Sequence, residues 1–478
     1  MSEPLRHYWR RLLSEQTILL ASTIKWFLLA TLTGLAAGLA AFLFLRSLEL
    51  AIEWSSQHPF YFLALPIALP LTVGLIRWLA PEAEGHGTEK VIEAIHERNG
   101  QIDPSVVPVK ALATIVTLAA GGSVGKEGPC AQIGAGVASL VARLLHLSGD
   151  DMKKIVICGI SAGFAAVFGT PVAGALFGVE VLFLGELLYD ALLPSLVAGV
   201  TAFEVTHLLG LRYFSRRPPE PLPLTELSLL QSVSVGFVCG FVALVLIEAM
   251  RLMRHRLRQA IKNDLSRALV GGLALVVLGF LIPSSLGLGI NELQRALLGR
   301  PVPFLLPFCK ILATSITLES GGSGGIVTPI FLIGASTGNL LGALFGERAT
   351  FAALGMVATL SAAANTPIAA SVMAMEMFGG RIGLHAAVAC VISFLVVGHR
   401  SVYPSQILAF AKSASLKVPH GVDIEAAEVE VIIREDSLSG LLLRYAKQLW
   451  QRWSSPKTST PTEENAQSPN PPQSSAKG

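Results

Sequence analysis

The sequence predicts an all-α, polytopic membrane protein made of two inverted helical repeats with broken helices. Three observations lead there. Residues 110–135 (KALATIVTLAAGGSVGKEGPCAQIGA) match residues 310–335 (KILATSITLESGGSGGIVTPIFLIGA) at fourteen of 26 positions without a gap. A second pair follows, in which 159–182 matches 355–378 through Thr170/Thr366, Pro171/Pro367 and Glu180/Glu376. The chain is also 52% hydrophobic and only 14% charged, with a mean hydropathy of +0.59, whereas ordinary soluble domains are about a quarter charged. A spacing near 200 residues is too long for a solenoid. In so apolar a chain it marks two homologous halves with a binding site between them.

The elements follow in order. Residues 1–26 carry Arg6, Arg10, Arg11 and Lys25 among apolar residues, the pattern of an N-terminal cytoplasmic or interfacial segment. Residues 27–210 form the first membrane repeat. Its run Trp26–Leu45 reaches the roughly 20 residues that span hydrocarbon, and Phe60–Ile76 comes close before Arg77. Small residues from Gly38 to Ala41 lie inside the first run, so it reads as a retained helix and not a cleaved signal. Residues 211–227 (LRYFSRRPPEPLPLTE and one more) are polar and Pro-rich, a linker. Residues 228–412 form the second repeat, with runs Ser228–Ile247 and Ala268–Gly287. Residues 413–478 are expected to be a cytoplasmic tail, disordered toward its end, because 454–478 is rich in Ser, Pro, Thr and Asn and has little to bury.

Charge argues for inversion. The hairpin loop SSQHP (55–59) has no Lys or Arg, while its counterpart carries Arg251, Arg254, Arg256, Arg258, Lys262 and Arg267. Positive loops stay in the cytoplasm, which places equivalent loops on opposite sides. Arg212, Arg216 and Arg217 of the linker run against this scheme. The expected location is an integral, multi-pass membrane position, the inner membrane for a bacterial cell.

Composition removes other classes. Cys130, Cys158, Cys239, Cys309 and Cys390 stand singly in apolar surroundings, packing residues and not a disulfide or metal framework. A net charge of +3 over this length does not suggest nucleic acid, and no cofactor or metal is expected. GGSVGKEG lacks the leading glycine of a phosphate-binding loop, since position 120 is alanine, and Glu127 follows Lys126 where Ser or Thr is required. Ser323 has no identifiable His partner and is repeated as Ser123, which favours a turn role. His86 and His96 alone do not define a metal site. Nothing here makes a convincing enzyme.

The chain has 45 Gly and 27 Pro, and two interruptions fall where the repeats match, at 121–129 and 321–329. Such breaks are tolerated within a bilayer only where the freed backbone is buried or lines a cavity. GGSVGKEGP and GGSGGIVTP each set a glycine cluster before a helix start. Free N–H groups and about half a positive charge gather at such a start. Two converging starts make an anion site from partial charges, able to attract an anion and release it. Glu127 lies in the first, and an ionised side chain in the membrane interior costs roughly 3 kcal/mol. Its carboxylate can itself occupy the site, and protonation would release it. The competing reading is an acidic residue complementing its own helix dipole. Lys110 and Lys310 recur in both repeats, which favours a shared structural role.

Together these segments resemble the CLC family of chloride channels and anion/proton antiporters. GKEGP (125–129) is similar to its G-[RK]-E-G-P segment, GGIVTP (324–329) to its GGxxxP segment, and Gly159 to Glu180 matches GxxAGxAAxFxxPxAGxxFxxE. The resemblance covers about 85–410. It implies an inverted-repeat helical fold and a homodimer with one pore per subunit. Glu127 would be the gating glutamate. Backbone amides of Gly125, Lys126, Gly128, Ile326 and Val327 would contact the anion, and Tyr403 in SVYPSQIL would be the pore tyrosine, with an interfacial anchor as the alternative.

Three departures stand out. GHGTE (85–89) replaces the family's GSGIP, putting His86 where an anion-binding serine is expected; its imidazole would donate a hydrogen bond and titrate near neutrality, or narrow the inner gate. The internal proton-transfer glutamate falls on Val181, which carries no proton. Thr328, a selectivity candidate, stands where many chloride-selective members have alanine and resembles the fluoride-selective branch, which the proline of GKEGP and the glycines around His86 fit less well. The resulting expectation is transmembrane transport of chloride or another small anion through a glutamate-gated pore, passive or weakly proton-coupled. The alternative is a proton-coupled antiporter, with fluoride as a candidate anion. Expected partners are the anion, protons under the alternative, the lipid bilayer and a second copy of the chain.

Overall fold

The computed structural model describes residues 3–147, 149–213, 222–424, 432–434, 437, 440–441, 444–447 and 450. Among these residues sixteen helices form, eight per repeat in the same order. The first eight are α1 (Glu3–Ser56), α2 (Leu65–Leu79), α3 (Thr88–Glu97), α4 (Val106–Ala119), α5 (Glu127–Leu144), α6 (Asp150–Phe168), α7 (Pro171–Glu180) and α8 (Tyr189–Leu208). Their counterparts are α9 (Glu226–Ala260), α10 (Asp264–Leu281), α11 (Ile290–Leu297), α12 (Leu306–Glu319), α13 (Val327–Phe345), α14 (Arg348–Ala364), α15 (Pro367–Phe378) and α16 (Gly383–Val396). Helices α1, α8, α9, α10 and α13, and the segment Tyr61–Leu79 that ends in α2, are long and apolar enough to cross a membrane, while α4, α7, α14, α15 and the segment Gly380–Val396 that ends in α16 are apolar but shorter. This is a polytopic, all-helical membrane fold.

Local chemistry sets the breaks. Helix α6 ends on Gly169 and α14 on Asn365, both left-handed with φ of 71° and 57°. Thr-Pro follows each, and the proline is the first residue of α7 or α15. A left-handed cap ends one helix, and proline at the first position starts the next without sacrificing a helical hydrogen bond.

The repeats meet through reciprocal pairs. Gly125 N–H donates to Gly325 O and Gly325 N–H to Gly125 O, both at 2.6 Å, in an antiparallel bridge. Ser123 N–H donates to Thr317 Oγ1 and Ser323 N–H to Thr117 Oγ1, both at 3.1 Å. The Glu180 carboxylate accepts from Ile368 and Ala369 N–H at 3.0 and 2.7 Å, and Glu376 accepts from Val172 and Ala173 N–H at the same distances. Contacts in which each residue meets its partner's twin require a two-fold relation. The repeats are inverted about it. Within each repeat glycines let the core helices touch, since a Cβ on Gly159 of α6 would stand 2.5 Å from Gly134 O of α5.

Boundaries moved where caps and stops act. Helix α1 runs unbroken through residue 26, because nothing from Glu15 to Thr33 is glycine or proline; Trp26 is its first buried residue among those described. The expected boundary there is a change in burial and not a break. Helix α9 begins at Glu226, two residues early, because Thr225 and Ser228 form a reciprocal capping box. Helix α10 stops at Leu281, short of the expected Gly287, with Pro283 opening a separate turn. Linker residues 214–221 and the tail stretch 454–478 expected to be disordered lie outside the described residues. The five cysteines are free thiols, four of them buried.

After α16 the chain returns to the first repeat, where Ile407–Leu408 pairs in parallel with Phe183–Leu184 and antiparallel with Val422–Asp423. A small second unit pairs Leu416–Lys417 with Ile432–Ile433.

Candidate functional site

The Gly125–Gly325 bridge brings two helix starts side by side. Glu127, Gly128 and Pro129 open α5, and Val327, Thr328 and Pro329 open α13. First-turn amides have no partner within their own helix. The prolines are placed where the missing N–H costs nothing.

Glu127 is 1% exposed. Its Oε2 accepts from Thr328 N–H at 3.1 Å, and its Oε1 accepts from the Thr328 hydroxyl. The carboxylate of repeat one therefore stands on the N-terminus of α13 in repeat two. Both contacts cross the repeat boundary, which argues against a residue that merely complements the dipole of α5. Gly125 makes the room: a Cβ there would run into Glu127 Oε2 and lie 3.1 Å from Thr328 N.

One expected anion contact fails. The Gly125 amide is committed to Gly325 O, so it has no proton left for an anion. The amides of Lys126, Gly128, Ile326 and Val327 take no protein acceptor among the described residues, as helix geometry requires.

The loop before α3 packs on the same helix start. Gly85 and Gly87 flank His86 with φ of 75° and 88°, and a Cβ on Gly87 would stand 2.5 Å from Gly128 O. Glycine is required there by both conformation and space. Lys110 Nζ pins the loop by donating to Ala83 O and Gly85 O at 3.0 and 2.6 Å. Its twin Lys310 does the same for Ser285 O and Gly287 O at 3.2 and 2.7 Å. Ser123 and Ser323 also serve the turns, their hydroxyls meeting Thr314 and Thr114 at 3.1 Å each.

His86 is 4% exposed, and its ring lies 5.6 Å from that of Tyr403. Tyr403 is itself 1% exposed, with its backbone N–H on Ser401 Oγ at 3.0 Å. Such burial does not suit an interfacial anchor, which keeps a polar tip in contact with water. Tyr403 sits beside the Thr88 hydroxyl and within electrostatic range of Glu127 and Glu89. Among the described residues His86 Nδ1, Thr88 Oγ1 and Tyr403 Oη are all buried without a full hydrogen bond to protein. Buried polar atoms are seldom left so, and three together mark a place suited to a polar ligand. Sequence reasoning missed Thr88. Its one signal was a hydroxyl directly after a glycine at a helix start.

On its other side His86 lines a cavity of about 350 Å³ with Glu89, Glu93, Arg254, Arg258 and Glu319. The Arg254 guanidinium meets Glu319 there, Nε to Oε2, at 3.0 Å. His96 is engaged elsewhere, its Nε2 3.1 Å from Leu182 O, so it is not paired with His86.

Val181 is fully buried, and its carbonyl accepts from Gln406 Nε2 at 2.7 Å. Gln406 also reaches Ala364 O and Asn365, holding the segment that carries Tyr403. Neighbouring Glu180 faces α15 and caps its amides.

Two helix starts meeting between inverted repeats, one of them occupied by a carboxylate, define a membrane protein that passes anions. The chain belongs to the CLC family: the family model described as voltage gated chloride channel matches residues 68–398. It is 36% identical over 416 residues to the chloride/fluoride channel protein of Pseudomonas syringae pv. tomato, spanning 83% of this chain and 90% of that one. It is 30% identical over 409 residues to the voltage-gated ClC-type chloride channel ClcB of Salmonella dublin, spanning 79% and 97%. Among solved structures, a CLC-type fluoride/proton antiporter shares 30% identity and a TM-score of 0.77 over 80% of this chain and 98% of that one. A slow cyanobacterial Cl⁻/H⁺ antiporter shares the fold, with a TM-score of 0.68 at 20% identity over 78% and 94%.

Proposed function

We propose that the protein carries chloride passively across the membrane, with Glu127 as the gate of one pathway in each subunit of a homodimer. The observation that supports this most is the Glu127 carboxylate lying on the start of α13. An anion bound there must displace another anion. Protonation removes the charge of the carboxyl and weakens its hold on the Thr328 N–H and hydroxyl. Chloride then takes the amides of Lys126, Gly128, Ile326 and Val327. Partial charges hold it loosely enough to leave, as conduction requires. Thr88, Tyr403 and His86 supply the next polar station toward the cavity. Val181 has no acid with which to pass a proton inward, which favours a passive path.

A second reading is proton-coupled antiport of fluoride. It is favoured by the Thr328 hydroxyl on the gate and by similarity, at 36% and 30% identity, to proteins whose names include fluoride. Purified protein in sealed liposomes separates the two. Chloride, fluoride and nitrate fluxes are measured while internal pH is followed. Chloride flux without proton movement supports the first reading; a fixed anion-to-proton ratio, or fluoride flux without chloride flux, overturns it. A single-subunit mass in native detergent complexes would overturn the dimer.

A further inference from the structure

Glu89 Oε2 lies 2.9 Å from His86 Nε2 without completing a hydrogen bond, and among the described residues His86 Nδ1 has neither a hydrogen bond nor an ion pair. A carboxylate oxygen that close is tolerated only if Nε2 carries a proton. A neutral imidazole has one N–H, so its Nδ1 is then a bare lone pair. Such a lone pair, on a ring 5.6 Å from that of Tyr403, repels an anion. A second proton converts Nδ1 into a donor.

We infer that anion binding at the inner station is linked to proton uptake by His86, with Glu89 dictating which ring nitrogen changes state. This rests on the reading that His86 and Tyr403 line the anion path. The proton comes from solvent and goes to Nδ1, and no other bond changes. Anion, imidazolium and Glu89 carboxylate then sum to one negative charge, as the carboxylate alone did before. The proton returns to the side it came from, so this linkage tunes binding without carrying protons across the membrane.

The surroundings keep Glu89 charged. Burial works against this, but His86, Arg254 and Lys90 outweigh it and hold its carboxyl below the ordinary carboxylate range. Glu84 precedes the pair, and Glu93 follows on α3. Arg254 and Arg258 of α9, Arg267 of α10, Glu319 of α12 and Asp423 face the same cavity. On the buried side stand Tyr403 and, beyond it, Glu127.

The test uses the full chain carrying Glu127→Gln, which removes titration of the gate. Chloride binding is followed by calorimetry in buffers of different ionisation heat across a pH series. The expected result is uptake of about one proton per chloride on the alkaline side, with affinity falling about tenfold per pH unit there. Adding His86→Asn should abolish both, and adding Glu89→Gln should move the transition to more acidic pH. Proton-independent binding in Glu127→Gln overturns the linkage and leaves the gate intact. Unchanged proton uptake after His86→Asn or His86→Ser, in protein that elutes as the parent does, overturns it as well. Absence of any chloride binding or flux in Glu127→Gln sinks the gate reading and this inference with it.

Discussion

The Glu127 carboxylate and the Thr328 amide and hydroxyl, 201 residues apart in sequence, form one hydrogen-bonded unit that joins the two repeats at their shared helix starts. An anion of the protein fills the place where partial positive charge collects.

Glu127→Gln imitates the protonated side chain. Chloride flux should rise at neutral pH, and the pH profile should lose the step set by the gate, leaving only the dependence of chloride binding at His86. Liposome efflux across a pH series checks this. A folded, active variant with the parent's pH profile would remove Glu127 from gating.

Thr328→Val keeps shape and deletes the hydroxyl. A hydrogen bond to a charged group contributes about 1.5–3 kcal/mol, equivalent to a shift of roughly 10- to 150-fold in the equilibrium between occupied and open gate. Neutral-pH flux should increase, and the ratio of fluoride to chloride permeability should change. Thr328→Ser should behave as the parent. Equal fluxes in all three proteins would assign the hydroxyl no role.

Lys310→Met leaves the part-buried Gly287 O without its donor and Ser285 O with only the Ser123 hydroxyl. The expected destabilisation is about 3 kcal/mol in denaturant titration, with anion selectivity unchanged in protein that folds. Lys110→Met should cost a similar amount and also weaken chloride binding, because the loop it pins carries His86. A loss below about 1 kcal/mol for Lys310→Met would contradict the pinning role.

A chloride gradient should not drive uphill proton transport. Val181 cannot titrate, and Glu180 is occupied with the Ile368 and Ala369 amides. Glu180→Gln should therefore lower stability and leave the pH dependence of flux alone. A stable chloride-to-proton ratio lost in that variant would identify Glu180 as a proton carrier instead.

By itself the sequence determined the membrane class, the internal duplication, the helix breaks and the position of Glu127 at a helix start. These are local properties: apolar runs of spanning length, matched segments, glycine clusters and Thr-Pro steps act on the chain next to them. Only the tertiary structure decided that Glu127 binds the opposite repeat, that the Gly125 amide is spent on Gly325, and that Thr88 joins His86 and Tyr403. It also gave Glu180 and Glu376 their reciprocal capping work. Each of these depends on residues far apart in the chain, brought together by a two-fold relation between repeats that no local pattern of hydropathy or turn chemistry encodes.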